Sequence, residues 1–148
     1  MKSLLDDKTT NEIQTILGRF LDTWNDKDLE GFMDNFLEDA EFTDVVSQTA
    51  IGKEAIKKQH DFAFNVVMKN ASFEMKNLLI REILSDVVMV SANWLNKNSQ
   101  TPNGKHLPDR NGVIQFVIMK DQDLNWKFKI VHNSDFSLPY EKQERIIE

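Results

Sequence analysis

The stretch from residue 112 to 133 constrains the fold of this chain more than any other. Residues 112–120 read Gly-Val-Ile-Gln-Phe-Val-Ile-Met-Lys, residues 121–125 are polar, and residues 126–133 read Trp-Lys-Phe-Lys-Ile-Val-His-Asn. β-Branched and aromatic residues at period two on both sides of an Asp/Asn-rich break define a β-hairpin. In its second arm Trp126, Phe128, Ile130 and His132 share one face, while Lys127, Lys129, Val131 and Asn133 share the other. An antiparallel sheet of this kind has a face to bury, so upstream elements must supply a matching apolar surface.

Three helical stretches do so. Thr9 with Glu12 has the spacing of a capping box. Ile13, Ile16, Leu17, Phe20, Leu21 and Trp24 then repeat at three and four, forming one stripe. Gly18 inside it marks either close packing or a tolerated cost. Asp28 is the expected N-cap of a second helix, with Leu29, Phe32, Met33, Phe36 and Leu37 as its stripe. The acidic residues 38–41 lead into a short strand ending near Val46, and residues 47–51 continue as a turn and short strand. Gly52 opens a third helix in which Ile56, His60, Ala63, Phe64 and Val67 share a face, which turns His60 inward. Residues 72–84 and 87–96 read as long strands joined by a turn at Ser85-Asp86. Both faces of the second are partly apolar, as for a central strand. Residues 97–111 form a polar loop of the length at which loops are usually functional. The order of three helices, a short strand and then long strands predicts an α+β domain over residues 9–136, with tails at 1–8 and 137–148. The last tail reads as an extension or a frayed helix.

Composition narrows the partners. The 148 residues carry a net charge of −6 with no long Lys/Arg run, which argues against nucleic acid and anionic membranes. There is no cysteine, and three scattered histidines set no metal-ligand spacing, so no metal is expected. No Gly-x-Gly-x-x-Gly is present and no cofactor is expected. No apolar run reaches the ~20 residues of a membrane span, and residues 1–10 lack a signal-peptide core, so a cytoplasmic protein is the expectation.

Several marks together carry a family resemblance: residues 20–28, Phe-Leu-Asp-Thr-Trp-Asn-Asp-Lys-Asp, before a Phe/Met-rich helix; the acidic step at 38–42; Gly52-Lys-Glu-Ala-Ile56 with His60 one turn on; and the terminal strand 126–133. In this order they resemble the nuclear transport factor 2-like superfamily, which includes SnoaL-type cyclases, ketosteroid isomerase and scytalone dehydratase. They are most similar to its SgcJ/EcaC-like group. The resemblance covers roughly residues 9–136. It implies a cone-shaped barrel, with three N-terminal helices packed on a strongly bent, mainly antiparallel sheet around a hydrophobic pocket. It implies a pocket wall drawn from Trp24, Phe36, Phe42, Asp44, His60 and Phe64, and from Trp94, Asn96, Phe116, His132 and Asn133. It also implies a homodimer through the outer sheet face. The fold hosts enzymes, binding modules and assembly domains alike.

Within that frame His60 is the first candidate for a general acid/base or ligand-binding group, since burial tunes a histidine near neutrality. A packed histidine bonded to a neighbouring polar group is the alternative. Asp44 shares a strand face with Phe42. In an apolar cone its carboxyl would rise and suit proton transfer; otherwise it is one exposed acid among several. His132 and Asn133 point to opposite faces, so the pocket sees His132 if the Trp126 face is inward. His106 lies in the loop. The only tyrosine, Tyr140, is in the tail, which leaves an isomerase-like oxyanion hole without its phenol. Arg19, Arg81 and Arg110 show no convincing carboxylate pair, and a dehydratase-like His/Asp arrangement is the least excluded analogy. Two functions follow as expectations. One is a pocket for a small apolar, oxygenated ligand, with acid/base lyase or isomerase chemistry on His60, Asp44 and His132. The other is a non-catalytic dimeric binding or assembly module.

Overall fold

The computed structural model describes residues 2–3 and 5–136. Helix α1 (Asp7–Asp26) buries Ile13, Ile16, Leu17, Phe20 and Trp24 as one stripe. Its N-cap is Asp6, whose Oδ1 accepts from the Thr9 amide at 2.7 Å. The cap thus lies one turn before the Thr9–Glu12 pair, and Glu12 instead accepts from Trp126 Nε1 at 2.7 Å. A side chain added at Gly18 would meet nothing within 4 Å, so this glycine is tolerated rather than demanded by packing. Lys27 ends the helix in the left-handed region at φ 56°.

Helix α2 (Leu29–Met33) has the expected N-cap, Asp28, but is a single turn. Phe36 and Leu37 belong to strand β2 (Phe36–Thr43), not to the helix. Their spacing from Phe32 suits both a helix and the start of a strand, and pairing with the C-terminal strand decides between them. A turn leads to β3 (Thr49–Ile51). Helix α3 (Lys53–Phe62) starts at Gly52 and runs into a π-helical turn (Ala63–Val67), where the Met68 amide reaches back to the Ala63 carbonyl at 2.7 Å.

The remaining strands are β4 (Ser72–Leu84), β5 (Val87–Lys97), β6 (Arg110–Lys120) and β7 (Trp126–Asp135). With β1 (Lys2–Ser3) they form one open sheet in the order β1-β4-β5-β6-β7-β2-β3. The long hairpins are antiparallel, while β1 with β4 and β2 with β7 are parallel. Residues 2–3, expected in a tail, are therefore part of the sheet. The tail after residue 136, with Tyr140, lies outside the described residues.

The helices cover one face of the sheet. On β5, Val88, Val90, Ala92, Trp94 and Asn96 point into the core, and the alternate residues stay half-buried on the outer face. Phe20, Phe32, Phe116 and Phe128 are fully buried at the centre, with Phe20 5.2 Å from Phe116 and 5.4 Å from Phe128. Offset and edge-to-face contacts of this kind add about 0.5–1.5 kcal/mol per pair beyond area burial.

One irregularity decides which residues reach the open end. In the β6–β7 ladder Val117 pairs with Ile130 and Ile118 with Phe128, which leaves Lys129 as an extra residue. A β-bulge of this type reverses the alternation beyond it. Phe128 and Val131 are both buried, Ile130 and His132 face outward, and Asn133 faces inward. The bulged Lys129 reaches Asp39 of β2 with an Nζ–Oδ2 distance of 2.9 Å.

Candidate functional site

Between the helices and the open end of the sheet lies a cavity of about 680 Å³. Phe20 and Trp24 of α1 contribute to its wall, as do Phe42 of β2, His60 of α3, and Ala63 and Val67 of the π-helical turn. Phe73, Trp94, Asn96, Ile114 and Asn133 complete the sheet side. At the mouth sit Asp44 to Val46 and Gln48 from the β2–β3 turn, and Gln100, Thr101, Pro102 and Leu107 from the loop between β5 and β6. That loop is shorter than expected, because β6 begins at Arg110. It is not free chain: the Gln100 amide bonds the Val67 carbonyl at 2.9 Å and the Leu107 amide bonds the Ser99 carbonyl at 2.9 Å. The π-helical turn sets one side of the cavity, and such turns often occur at functional sites.

His60 is buried, at 5% exposure. Its ring lies 4.7 Å from Phe32, 4.4 Å from Phe42 and 5.8 Å from Phe64. Nδ1 is 2.9 Å from the Ile56 carbonyl oxygen. A carbonyl only accepts, so Nδ1 carries the proton and Nε2 is the ring's acceptor. Burial pushes the imidazole down to about 4 from its ordinary 6.5, and the Ile56 carbonyl and the Asp44 charge offset only part of that. At neutral pH His60 is therefore an uncharged base.

Asp44 follows the end of β2 and is half-buried, not enclosed in the cone as an inward strand acid would be. Its Oδ1 accepts from the amides of Val46 at 3.0 Å and Gln48 at 2.9 Å, which fixes the turn. Among the described residues it is the one carboxylate in the cavity wall, and its charge acts on the His60 ring.

The expected wall is only partly realised. Trp24, Phe42, Asp44, His60, Trp94, Asn96 and Asn133 line the cavity. Phe36, Phe64 and Phe116 are buried behind it: Phe36 packs 5.4 Å from Phe128, Phe64 5.9 Å from Trp24 and Phe116 5.0 Å from Phe128. His132 is corrected to the outer face because the Lys129 bulge turns it away, and His106 is exposed in the loop. The sequence alone sets no carboxylate beside Arg110. The structure brings Asp135 to it, with Nε–Oδ2 2.7 Å and Nη2–Oδ2 2.6 Å. Its place in the wall could have been read by extending the alternation of Gly112, Ile114 and Phe116 back by two residues.

Several buried polar atoms of the wall have no hydrogen-bond partner among the described residues: Gln59 Oε1, Trp94 Nε1, Asn96 Oδ1 and Asn133 Oδ1. Buried polar groups are nearly always paired in folded proteins. Among the described residues no cluster of three or more His, Asp or Glu is placed to hold a metal ion, and no helix is long and apolar enough to cross a membrane.

A helical layer on one face of a bent, mainly antiparallel sheet, open at one end into a cavity, is the nuclear transport factor 2-like, cystatin-like class of fold. Residues 13–141 match the SnoaL-like domain, and the chain belongs to that family. An uncharacterised protein with a cystatin-like fold from Caulobacter vibrioides superimposes with a TM-score of 0.80 at 20% identity, over 86% of this chain and 89% of that one. A ketosteroid isomerase-like protein from Erwinia carotovora atroseptica gives 0.74 at 16% identity, over 90% and 100% of the two chains. A protein from Novosphingobium aromaticivorans, provisionally named a scytalone dehydratase, gives 0.74 at 20% identity, over 91% and 89%. At these identities the likeness is one of fold. No curated protein is significantly similar in sequence.

Proposed function

We propose that the cavity binds a small, largely apolar, oxygenated molecule, and that His60 with Asp44 moves a proton on it in a lyase or isomerase step. The observation that supports this most is a cavity of about 680 Å³ with an uncharged His60 and Asp44 on one wall. Pockets for small ligands span roughly 300–1,000 Å³, with mostly apolar walls and few polar groups. Because Nδ1–H is committed to the Ile56 carbonyl, proton traffic at His60 passes through Nε2. At neutral pH the uncharged ring has Nε2 open to accept a proton, and the Asp44 charge favours the protonated form that a transfer step creates. The names carried by neighbours of this fold, scytalone dehydratase and ketosteroid isomerase-like, agree with such chemistry.

Screening the purified protein by thermal shift against aromatic and polyketide-like compounds tests the reading. A ligand at about 100 times its Kd adds about 2.7 kcal/mol, a shift of several degrees. His60→Ala and Asp44→Asn should each lower affinity or turnover tenfold or more while the protein stays folded. Variants that bind and turn over like the wild type would remove both residues from the mechanism.

The outer sheet face favours a homodimer. Val87, Met89 and Leu95 of β5 stand beside Val113, Val117 and Met119 of β6, and Ile130 of β7 is 39% exposed. Light scattering should give the mass of two chains, and Met89→Glu should reduce it to one; a monomeric wild type refutes the dimer. A dimer without any ligand from the screen would favour the binding or assembly module.

A further inference from the structure

The unpaired polar atoms of the cavity wall are unequal in kind. Three are carbonyl oxygens, Gln59 Oε1 of α3, Asn96 Oδ1 of β5 and Asn133 Oδ1 of β7, and one is a donor, the indole Nε1 of Trp94. His60 Nε2, left as an acceptor by the bond of Nδ1 to the Ile56 carbonyl, adds a fourth acceptor from the same wall. Two of the amides cannot be turned over to change this count. Asn96 Nδ2 lies 3.4 Å from the Ser72 carbonyl and Gln59 Nε2 lies 3.3 Å from the Gln48 carbonyl, so a flipped amide would set oxygen against oxygen. Arg110, the one cationic side chain in the wall among the described residues, already has Asp135 on its Nε and Nη2. The wall therefore holds no unmatched positive charge and an excess of acceptors.

The placement of these atoms is set by the sheet. Asn96 is 4% exposed and shares a face of β5 with Trp94. Trp94 Cε2, the ring atom bonded to Nε1, lies 2.7 Å from where a Cβ on Gly112 would stand. The missing side chain at Gly112 thus lets the indole N–H edge lie over β6, the strand that separates Asn96 on β5 from Asn133 on β7. Gln59 lines the cavity from the helical layer. A buried acceptor left without a donor loses its hydration and gains nothing in return, and a purely apolar ligand would leave all of these atoms so.

We propose that the ligand is an uncharged molecule bearing at least two hydroxyl groups, and that Asn96 and Gln59 select it by accepting their hydrogens. This deepens the small-molecule reading of the same cavity and rests on it. A hydroxyl both donates and accepts, so its hydrogen meets Asn96 Oδ1 while a hydroxyl oxygen takes the Trp94 N–H. The second hydroxyl serves Gln59 Oε1 on the helical side. A carboxylate or a ketone only accepts and would leave the carbonyl oxygens of the wall unpaired. An ammonium only donates and would leave the Trp94 N–H unpaired. A site built to bond hydroxyl hydrogens rejects the analogue that lacks them far more strongly than an apolar pocket rejects one methylene more or less.

The test is titration calorimetry of the full chain with a panel of dihydroxylated ring compounds, each matched with its dimethyl ether and with the amine and the carboxylate on the same ring. Wild type should bind at least one diol tenfold or more tighter than its three matched compounds. Asn96→Leu and Gln59→Met, which keep the bulk and remove the acceptor, should each weaken that diol fivefold or more and leave the ether within about twofold. The two variants lie on different elements, thermal melts report whether each folds, and the wild-type preference is read without either. An ether, amine or carboxylate that binds as tightly as its diol, or folded variants that keep the wild-type preference, would overturn the hydroxyl selection and leave the pocket reading standing. A panel in which no compound binds would overturn both.

Discussion

Replacing Gly112 by alanine is expected to destabilise the protein by about 3 kcal/mol, a fall of about 10 °C in Tm for a domain of this size. The backbone at Gly112 needs no unusual dihedral angle; the constraint is space. An added Cβ would collide with the Ser134 carbonyl oxygen and lie 2.5 Å from Trp94 Cζ2. The Trp94 ring lies over Gly112 from the neighbouring strand and packs 5.8 Å from Phe73. Neither a carbonyl in the β6–β7 ladder nor a tryptophan at 3% exposure can yield without disrupting its neighbours. Chemical denaturation and tryptophan fluorescence would report the loss and the displaced ring together. A change below about 1 kcal/mol would show that the β7 backbone shifts freely here, contrary to the close packing described above.

The second large effect is on acid stability. His60 takes up its proton near 6.5 when unfolded but only at about 4 when folded, because the folded ring lies among Phe32, Phe42 and Phe64. A folded value below the unfolded one means that the stabilising contribution is whole above pH 6.5. It is lost progressively as pH falls toward 4, since the unfolded state then binds a proton that the folded state refuses. The loss over that window is about 3 kcal/mol. Surface carboxylates add to acid sensitivity lower down. Asp6 is held below the usual carboxylate range by the Thr9 amide, and Asp39 by its hydrogen bond from Lys129. His60→Leu isolates the histidine: urea denaturation at pH 7 and pH 4.5 should show a much flatter dependence than wild type. Equal slopes would mean that the imidazole is accessible to water in the folded protein.

Much of the site could be read because single elements carry periodic signals. The stripe of α1 placed Trp24 inward, the spacing of α3 placed His60 inward, and alternation along β5 put Trp94 and Asn96 on one face. Other parts have no local signal. Trp126, Phe128, Ile130 and His132 alternate without a break in sequence, and the bulge at Lys129 shows only in the pairing of β7 with β6, while β7 also pairs with β2 on its other edge. Phe36 fits the stripe of α2 as well as a strand, until pairing with Phe128 makes it a strand residue. The union of Arg110 with Asp135 joins two strands across 25 residues.

The sequence by itself therefore determined the α+β class, the buried faces of the helices and of β5, the final hairpin, and the inward turn of His60. These follow from side-chain periodicity and capping, which act over a few neighbouring residues. Only the tertiary structure decided that Asn133 rather than His132 reaches the cavity, that Phe36, Phe64 and Phe116 stand behind its wall, and that Arg110 enters it paired to Asp135. Strand register, bulges and the closing of loops over a cavity depend on contacts between residues far apart in the chain, and no local pattern encodes them.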